Sequence, residues 1–341
     1  MSRQEHPPAS RPTIYDVAER AGVSKSLVSR VLNGEGRVSP EAAARVREAI
    51  AALGYRPRRA AADLAASRTR VVGVLIDDYA NPWFVDLLAG LAGRLTPQGY
   101  RLSVVDAVTS PGNPVDGLLS LGADGVVLAR DVPDAVMGHI PGPVVVAGTR
   151  LRVPEGVDTV ANDDALGAQL AVDHLLGLGH REIGHLAVGG GAGARRREGF
   201  VEAMAGRGHA VQVGPGPGTE PGGYAAAKRM LAEHPEVTAL FAANDVAAIG
   251  ALGAAKDLGL RVPEDLSVVG YDNTELAGTR LIDLTTVDDD SAGVGREAAS
   301  LLLERMAAPT GGPPGASGPG ERRVLTPRLV LRGTTAPPPV G

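Results

Sequence analysis

From Val71 onward the chain alternates between continuous apolar runs and stretches with helical spacing. Val71–Ile76 carries no polar side chain, which marks a strand buried on both faces. Similar runs predict strands over Arg101–Asp106, Gly125–Leu128, Val144–Ala147, Ile183–Val188, Ala239–Ala242 and Ser267–Tyr271, with a last strand over Arg323–Leu331. Apolar residues three and four apart predict helices over Phe84–Leu95, Ala165–Leu178, Arg195–Met204, Gly222–Glu233, Asp245–Leu258 and Ala292–Ala307. Strands alternating with helices predict parallel sheets covered by helices. A body of roughly 270 residues is more than one core holds, so two sheets are predicted. The Pro- and Gly-rich segment 309–320 can pack as neither element and reads as a loop.

Before Val71 the pattern differs. Residues 13–33 read as two short helices joined at Gly22. Thr13 can cap the first, with Asp16 three residues on completing a capping box. Val17, Ala18 and Ala21 share one stripe, and Gly22 suits the left-handed residue that ends a helix. Ser24 can cap the second helix, which turns Leu27, Val28, Val31 and Leu32 inward and Lys25, Ser26, Ser29, Arg30 and Asn33 outward. Small polar and basic groups on the outer face of a second helix are what a major groove requires, so this is a helix-turn-helix pattern. By spacing alone an ordinary helical hairpin with a solvated face fits as well. Ser39-Pro40-Glu41 opens a third helix with a cap, a proline at the first position and an acid in the first turn. Val46, Ile50 and Leu53 can close a three-helix core, and Gly54 ends the helix.

Charge changes the picture by its distribution. The 341 residues carry −5 overall, but residues 1–70 hold thirteen Lys/Arg against seven Asp/Glu, leaving the remainder strongly acidic. A basic module on an acidic body is the footprint of a nucleic-acid domain fused to something else. The absence of cysteine excludes disulfides and thiolate metal sites. No apolar run approaches the ~20 residues of a membrane span, and the start lacks a secretory apolar stretch, so a cytoplasmic, nucleoid-associated protein is expected.

The stretch 13–65, running through Leu53-Gly54-Tyr55-Arg56-Pro57 to Leu64, resembles the headpiece and hinge of the lactose-repressor (LacI/GalR-type) family of bacterial transcription regulators. Leu27, Arg58 and Asp63 depart from its usual Thr, Asn and Arg or Gln. The body resembles the family's effector core through Asn81-Pro82-Trp83-Phe84, Leu178-Gly179-His180-Arg181, Arg196 to Phe200, Ala243-Asn244-Asp245, Val262-Pro263-Glu264-Asp265, Val269-Gly270-Tyr271-Asp272 and Leu284 to Val287. The resemblance implies an α/β protein: a three-helix helix-turn-helix headpiece, then a two-lobed periplasmic-binding-protein-like core of parallel sheets. The chain should cross between the lobes near Val160–Asn162, Val287–Asp289 and Arg323–Leu325. The expected organisation is a disordered tail over 1–12, the headpiece over 13–57, a hinge over 58–70, the core over 71–333 and a second disordered tail over 334–341.

The implied function is a ligand-responsive repressor, binding a pseudo-palindromic operator as a homodimer, with no enzyme activity, cofactor or metal. Lys25 and Ser26 fall at the positions that discriminate operators, and Arg30 is a second candidate for guanine. Ser29 and Asn33 suit phosphate contact or capping, and Thr13, Tyr15 and Ser24 complete the DNA-facing set. In the hinge, Leu64 occupies the minor-groove wedge position, Ala61 lets two hinge helices approach, and Arg58 faces phosphate. Trp83 and Phe84 offer a flat apolar face to a sugar ring or base. Arg196, Asn244 and Asp272 match effector-binding positions, Asp289 lies on a crossing, and Gly148 stands where many sugar-binding members have Asp. A small sugar-like effector is expected. A dimer is expected because the chain ends without the leucine heptads of tetrameric members.

Two competing readings remain at this level, a sugar- or nucleotide-modifying enzyme and a solute-binding protein. Gly189–Ala194 satisfies a dinucleotide glycine pattern, but the acid expected about twenty residues on is missing. His180 and His185 read as structural, and Asp288-Asp289-Asp290 as a turn with one or more residues facing the ligand.

Overall fold

The computed structural model describes residues 12–33, 38–55, 69–110, 114–120, 122–133, 137–140, 142–308 and 320–339. Two compact units follow one another, Met1–Thr69 and Arg70–Gly341. Arg58, Ala61, Asp63 and Leu64 lie outside the described residues.

In the first unit, helices α1 (Ile14–Ala21), α2 (Lys25–Asn33) and α3 (Pro40–Leu53) close on Val17, Val28 and Val46, all fully buried. Leu27, Val31 and Leu32 are only half-buried around that centre. The capping box is formed: the Thr13 amide donates to Asp16 Oδ2 at 2.6 Å, and the Asp16 amide donates to Thr13 Oγ1 at 3.4 Å. Gly22 sits at φ 62°, and the amide of the next residue, Val23, donates to Ala18, which turns the chain into α2.

The second unit has two sheets. The first runs β11-β5-β4-β3-β1-β2, all parallel, from β1 (Val71–Ile76), β2 (Arg101–Asp106), β3 (Gly125–Ala129), β4 (Val144–Ala147), β5 (Asp158–Asn162) and β11 (Arg322–Leu325). The second runs β12-β10-β9-β8-β6-β7, from β6 (Ile183–Ala187), β7 (Gln212–Pro215), β8 (Ala239–Ala242), β9 (Ser267–Tyr271), β10 (Thr285–Asp288) and β12 (Arg328–Val330), with β12 antiparallel to β10. The helices are α4 (Trp83–Leu95), α5 (Pro114–Ser120), α6 (Asp164–Leu178), α7 (Gly190–Ala205), α8 (Glu220–Glu233), α9 (Asp245–Asp257) and α10 (Ser291–Ala307).

Strand β5 feeds α6 across the first crossing, and β10 feeds α10 across the second. Helix α10 packs on α4 of the first lobe at van der Waals closeness. A Cβ at Gly90 would strike the Ala292 carbonyl, and one at Gly295 the Leu87 carbonyl. The expected single strand Arg323–Leu331 is instead two strands in different sheets, and Thr326-Pro327 between them makes the third crossing. The expected tail after Gly333 is also corrected over its described part. The Thr334 hydroxyl donates to the Val268 carbonyl at 2.7 Å and accepts from the Thr285 amide at 2.9 Å. The Ala336 carbonyl meets His180 Nε2 at 2.9 Å. These bonds satisfy His180 internally, while His185 stacks on Phe200 and Phe241, and both histidines serve the core. Burial pushes the His185 imidazole down to about 4. Among the described residues no helix is long and apolar enough to cross a membrane.

Candidate functional sites

The first site is one face of the headpiece. Lys25, Ser26 and Arg30 are exposed on α2, with Ser29 half-buried beside them. Ser24 accepts from the Leu27 amide at 3.3 Å and meets the Ser26 hydroxyl at 3.0 Å, so the cap and the first turn are linked. Lys25 reaches back across the turn to Tyr15, itself 64% exposed: Nζ donates to the phenol at 3.3 Å and lies 4.9 Å from the ring centre. Arg30 Nε lies 3.5 Å from the Ser26 carbonyl and otherwise faces outward. Thr13 is engaged as a cap. Asn33 closes α2.

The second site is a cavity of about 200 Å³ within the second unit, walled by both lobes. One wall carries Asp77, Asp78, Trp83, Phe84, Asp131 and Arg150, and the other carries Gly189 to Gly193, Arg196, Asn244 and Asp272. Helix α7 begins at Gly190, five residues earlier than the spacing predicts, so the glycine-rich segment forms the start of the helix. Gly191 has to be glycine, since its Cβ would collide with the Arg150 backbone.

Arg196 organises the floor. Its Nε donates to Asp164 Oδ1 at 2.8 Å, and Nη1 donates to Asp272 Oδ1 at 3.2 Å and to the Ala243 carbonyl. Nη2 is 3.9 Å from Asp289 Oδ2, and the guanidinium lies 3.7 Å above the Tyr271 ring. Burial opposes this charge, but Asp164 and Asp272 outweigh it and hold the group above its ordinary range. Three buried carboxylates share one cation, so they cannot all ionise cheaply. Burial pushes Asp289 up to about 7 despite Arg196 and Trp83, and pushes Asp272 well above the usual carboxylate range.

The aromatic pair differs from the open flat face expected of it. Trp83 and Phe84 are buried, edge to face at 5.2 Å, and the Trp83 indole N–H is spent on Asp289 Oδ2 at 2.8 Å. Asp289 is fully buried behind this contact and is not on the cavity wall; its other oxygen has no partner. Its neighbours face elsewhere: Asp288 binds Arg328, and Asp290 caps α10 and pairs with Arg296. Asn244 lines the cavity but already accepts from the Ala247 amide at 2.8 Å and donates to the Gly218 carbonyl at 2.9 Å. At Gly148, φ +80°, a Cβ would lie 2.9 Å from both Arg150 Nη2 and the Trp83 ring, so the space that a side chain would need is already taken.

Sequence reasoning missed Arg150, Asp77, Asp131 and Asp164. Arg150 Nη2 is held by the Ala147 carbonyl, and its buried Nε has no partner. Asp164 takes the Arg196 Nε and the Thr149 hydroxyl. A signal existed: charged residues directly after buried strands β1, β3 and β4 sit where ligands bind in open parallel sheets.

Residues 13–58 match the family described as bacterial regulatory proteins, lacI family, and residues 172–335 match the periplasmic binding protein-like domain. The HTH-type transcriptional regulator CelR of Thermobifida fusca is 34% identical over 94% of this chain and 98% of its own. A LacI-family regulatory protein of Corynebacterium glutamicum is 50% identical over 79% of this chain and all of that one, with TM-score 0.70. A CelR–cellobiose complex is 32% identical over 95% of this chain and all of its own, at TM-score 0.69. The Lac repressor dimer bound to operator and the anti-inducer ONPF is 29% identical over 96% and 100%, at TM-score 0.81. The relatives are named as transcriptional regulators and not as enzymes.

Proposed function

This chain belongs to the lacI family of bacterial regulatory proteins, and from that premise we propose that it is a dimeric repressor of a pseudo-palindromic operator, released or engaged by a small sugar-like effector in the interlobe cavity. One observation carries the reading: the same chain holds an exposed helix-turn-helix face with Lys25, Ser26 and Arg30, and a polar cavity walled by two lobes. The arginines of the headpiece supply phosphate neutralisation, which fixes register without reading sequence. Lys25 and Arg30 donate to guanine edges, and Ser26 bonds either way. Two such faces, one per protomer, read the two half-sites. Leu64 wedges the centre of the operator, with Arg58 and Ala61 supporting the paired hinge.

In the cavity, carboxylates and amides beside an aromatic wall suit a polyhydroxylated ligand. Asp272 and Arg196 offer an acceptor and a donor to ring hydroxyls, and Asn244 offers its second amide hydrogen. Effector control arises because the ligand spans both walls and so prefers one lobe arrangement. That CelR has been seen with cellobiose supports a sugar. The test is selection of duplexes from a random pool by the purified protein, followed by titration at several salt concentrations and with a sugar panel. Enriched inverted repeats, a steep salt slope and a sugar-dependent affinity are expected. An unstructured pool, or affinity blind to every small molecule, overturns the proposal.

A further inference from the structure

The charge on the cavity is unbalanced, and the imbalance points at the ligand. Four carboxylates line it, Asp77, Asp78, Asp131 and Asp272, against two guanidiniums, Arg150 and Arg196. The charge of Arg196 is already shared, though its Nη2 hydrogens remain to donate: Asp164, Asp272 and Asp289 lie within 4 Å of it, two of them behind the wall. Arg150 keeps its Nε buried and its Nη2 on a backbone carbonyl. Arg130 pairs with Asp77 at 3.5 Å from outside the lining. Among the described residues, six acids therefore stand against three arginines.

Asp272 is the most informative of them. It is only 4% exposed, lies on the wall, and commits one oxygen to Arg196 while the other takes no partner among the described residues. Its backbone is at φ 104°, a strained conformation for a non-glycine residue, so the local fold holds the carboxylate in place at some expense. A half-satisfied buried carboxylate facing a cavity calls for a donor from the ligand, and a charged donor satisfies it best. A metal ion is a poor fit, because among the described residues no three acidic or histidine side chains converge closely enough to hold one. An organic cation, which needs one carboxylate at contact and the others only nearby, fits.

We propose that the effector is a polyhydroxylated molecule bearing a basic amine, an amino sugar or another cationic polyol, whose ammonium group is bound at Asp272 within the acidic cavity. The inference rests on the cavity being the effector site. It also has a proton signature. On the cavity wall burial has raised the Asp272 carboxyl, and behind the wall it has raised Asp289 to about 7 and Asp245 to about 6. The cations around them are Arg130, Arg150 and Arg196 and, against Asp245, Arg332; the other acids are Asp77, Asp78, Asp131, Asp164 and Asp288, with the Tyr271 phenol raised by burial beneath. An ammonium bound at Asp272 takes the place of the proton that burial favours there, so binding releases a proton and tightens as pH rises above the ordinary carboxylate range.

The experiment is calorimetry of the full chain against matched sets made from common pentoses and hexoses: the parent sugar, the amino sugar, its N-acetyl derivative and the sugar phosphate. Within the set that binds, the amine is expected to bind roughly tenfold or more tighter than its acetylated partner, the gain of a hydrogen bond to charge. Proton release, read from the dependence of the heat on buffer, is expected for the amine alone. Asp272→Asn keeps the shape and should erase the preference. A neutral or phosphorylated member binding as tightly as the amine overturns the charge inference and leaves the cavity reading standing. No binding by any amino sugar also overturns it. If in addition no small molecule alters operator affinity, the effector reading falls with it.

Discussion

The headpiece face and the cavity are opposite solutions to placing polar chemistry. The face comes from one contiguous stretch, Thr13 to Asn33, with Lys25 and Tyr15 in an exposed contact that solvent and DNA can both compete for. The cavity gathers residues from Asp77 to Asp272, and its central Arg196 is locked among three buried carboxylates. An exposed pair is worth little in stability and stays free to trade partners. A buried cluster is held because removing any one member strands the others. On the proposed function, recognition of DNA is written on a surface, whereas recognition of the effector is written into the stability of the core.

The sharpest way to break this comparison is to remove the buried cation. Arg196→Met leaves Asp164, Asp272 and Asp289 facing one another without their shared cation. We expect the core to lose about 3–5 kcal/mol in urea unfolding, the range for stranding buried charge. A core as stable as wild type would show that the carboxylates hold protons and need no cation.

The same contrast explains what the sequence revealed. Helix-turn-helix spacing, the Thr13–Asp16 capping box and the αL glycine at Gly22 are local, so each was legible. Buried strands such as β1 and β3 were legible because they are apolar throughout. Strands β5 and β10 were not, because Asp-Thr-Val-Ala-Asn and Thr-Thr-Val-Asp look like loop until a neighbouring strand satisfies them. The end of the chain looked like a tail because prolines and threonines carry no periodicity, yet Thr334 supplies hydrogen bonds that β9 and β10 need. In the cavity, Arg196, Asn244 and Asp272 were found through the family resemblance. The partnership of Trp83 with Asp289, 206 residues apart, has no local signal at all.

A smaller effect concerns pH. Asp289 is raised to about 7 when folded, chiefly by burial, against about 3.9 for a free Asp. Between those values the folded chain holds a proton that the unfolded chain has lost. The stability contributed by this group is therefore full at low pH and fades as pH rises toward 7. His185, lowered to about 4, acts in the opposite direction up to about 6.5, so the total curve is uninformative and the difference matters. Asp289→Asn can still accept from Trp83. Relative to wild type it should gain on the order of 2–3 kcal/mol between pH 4 and 7, then level off. Parallel curves for variant and wild type would place the titration elsewhere.

On the exposed side, Lys25→Ala should leave both units as stable as before and cost roughly 1–3 kcal/mol on the selected operator. The loss should concentrate at one base pair per half-site, as competition with singly substituted duplexes would read. An equal loss on every duplex would mean that Lys25 meets only phosphate, and Tyr15 would then be its resting place and not a guide.

The smallest effect tests whether the two regions are energetically separate. Thr13 closes the capping box of α1, with its hydroxyl and amide both bound to Asp16. Thr13→Ala should lower headpiece stability by about 1 kcal/mol, the usual worth of such a cap, while Thr13→Ser should retain most of it. The core transition should stay unchanged, since Thr13 belongs to the other compact unit. Operator affinity should fall only as far as the folded fraction of the headpiece falls, and equally on specific and random duplexes. If Thr13→Ala loses affinity while the headpiece melts as before, the hydroxyl touches DNA directly. Then this residue serves recognition as well as folding, and the division between a surface that reads and a core that holds gives way at its first position.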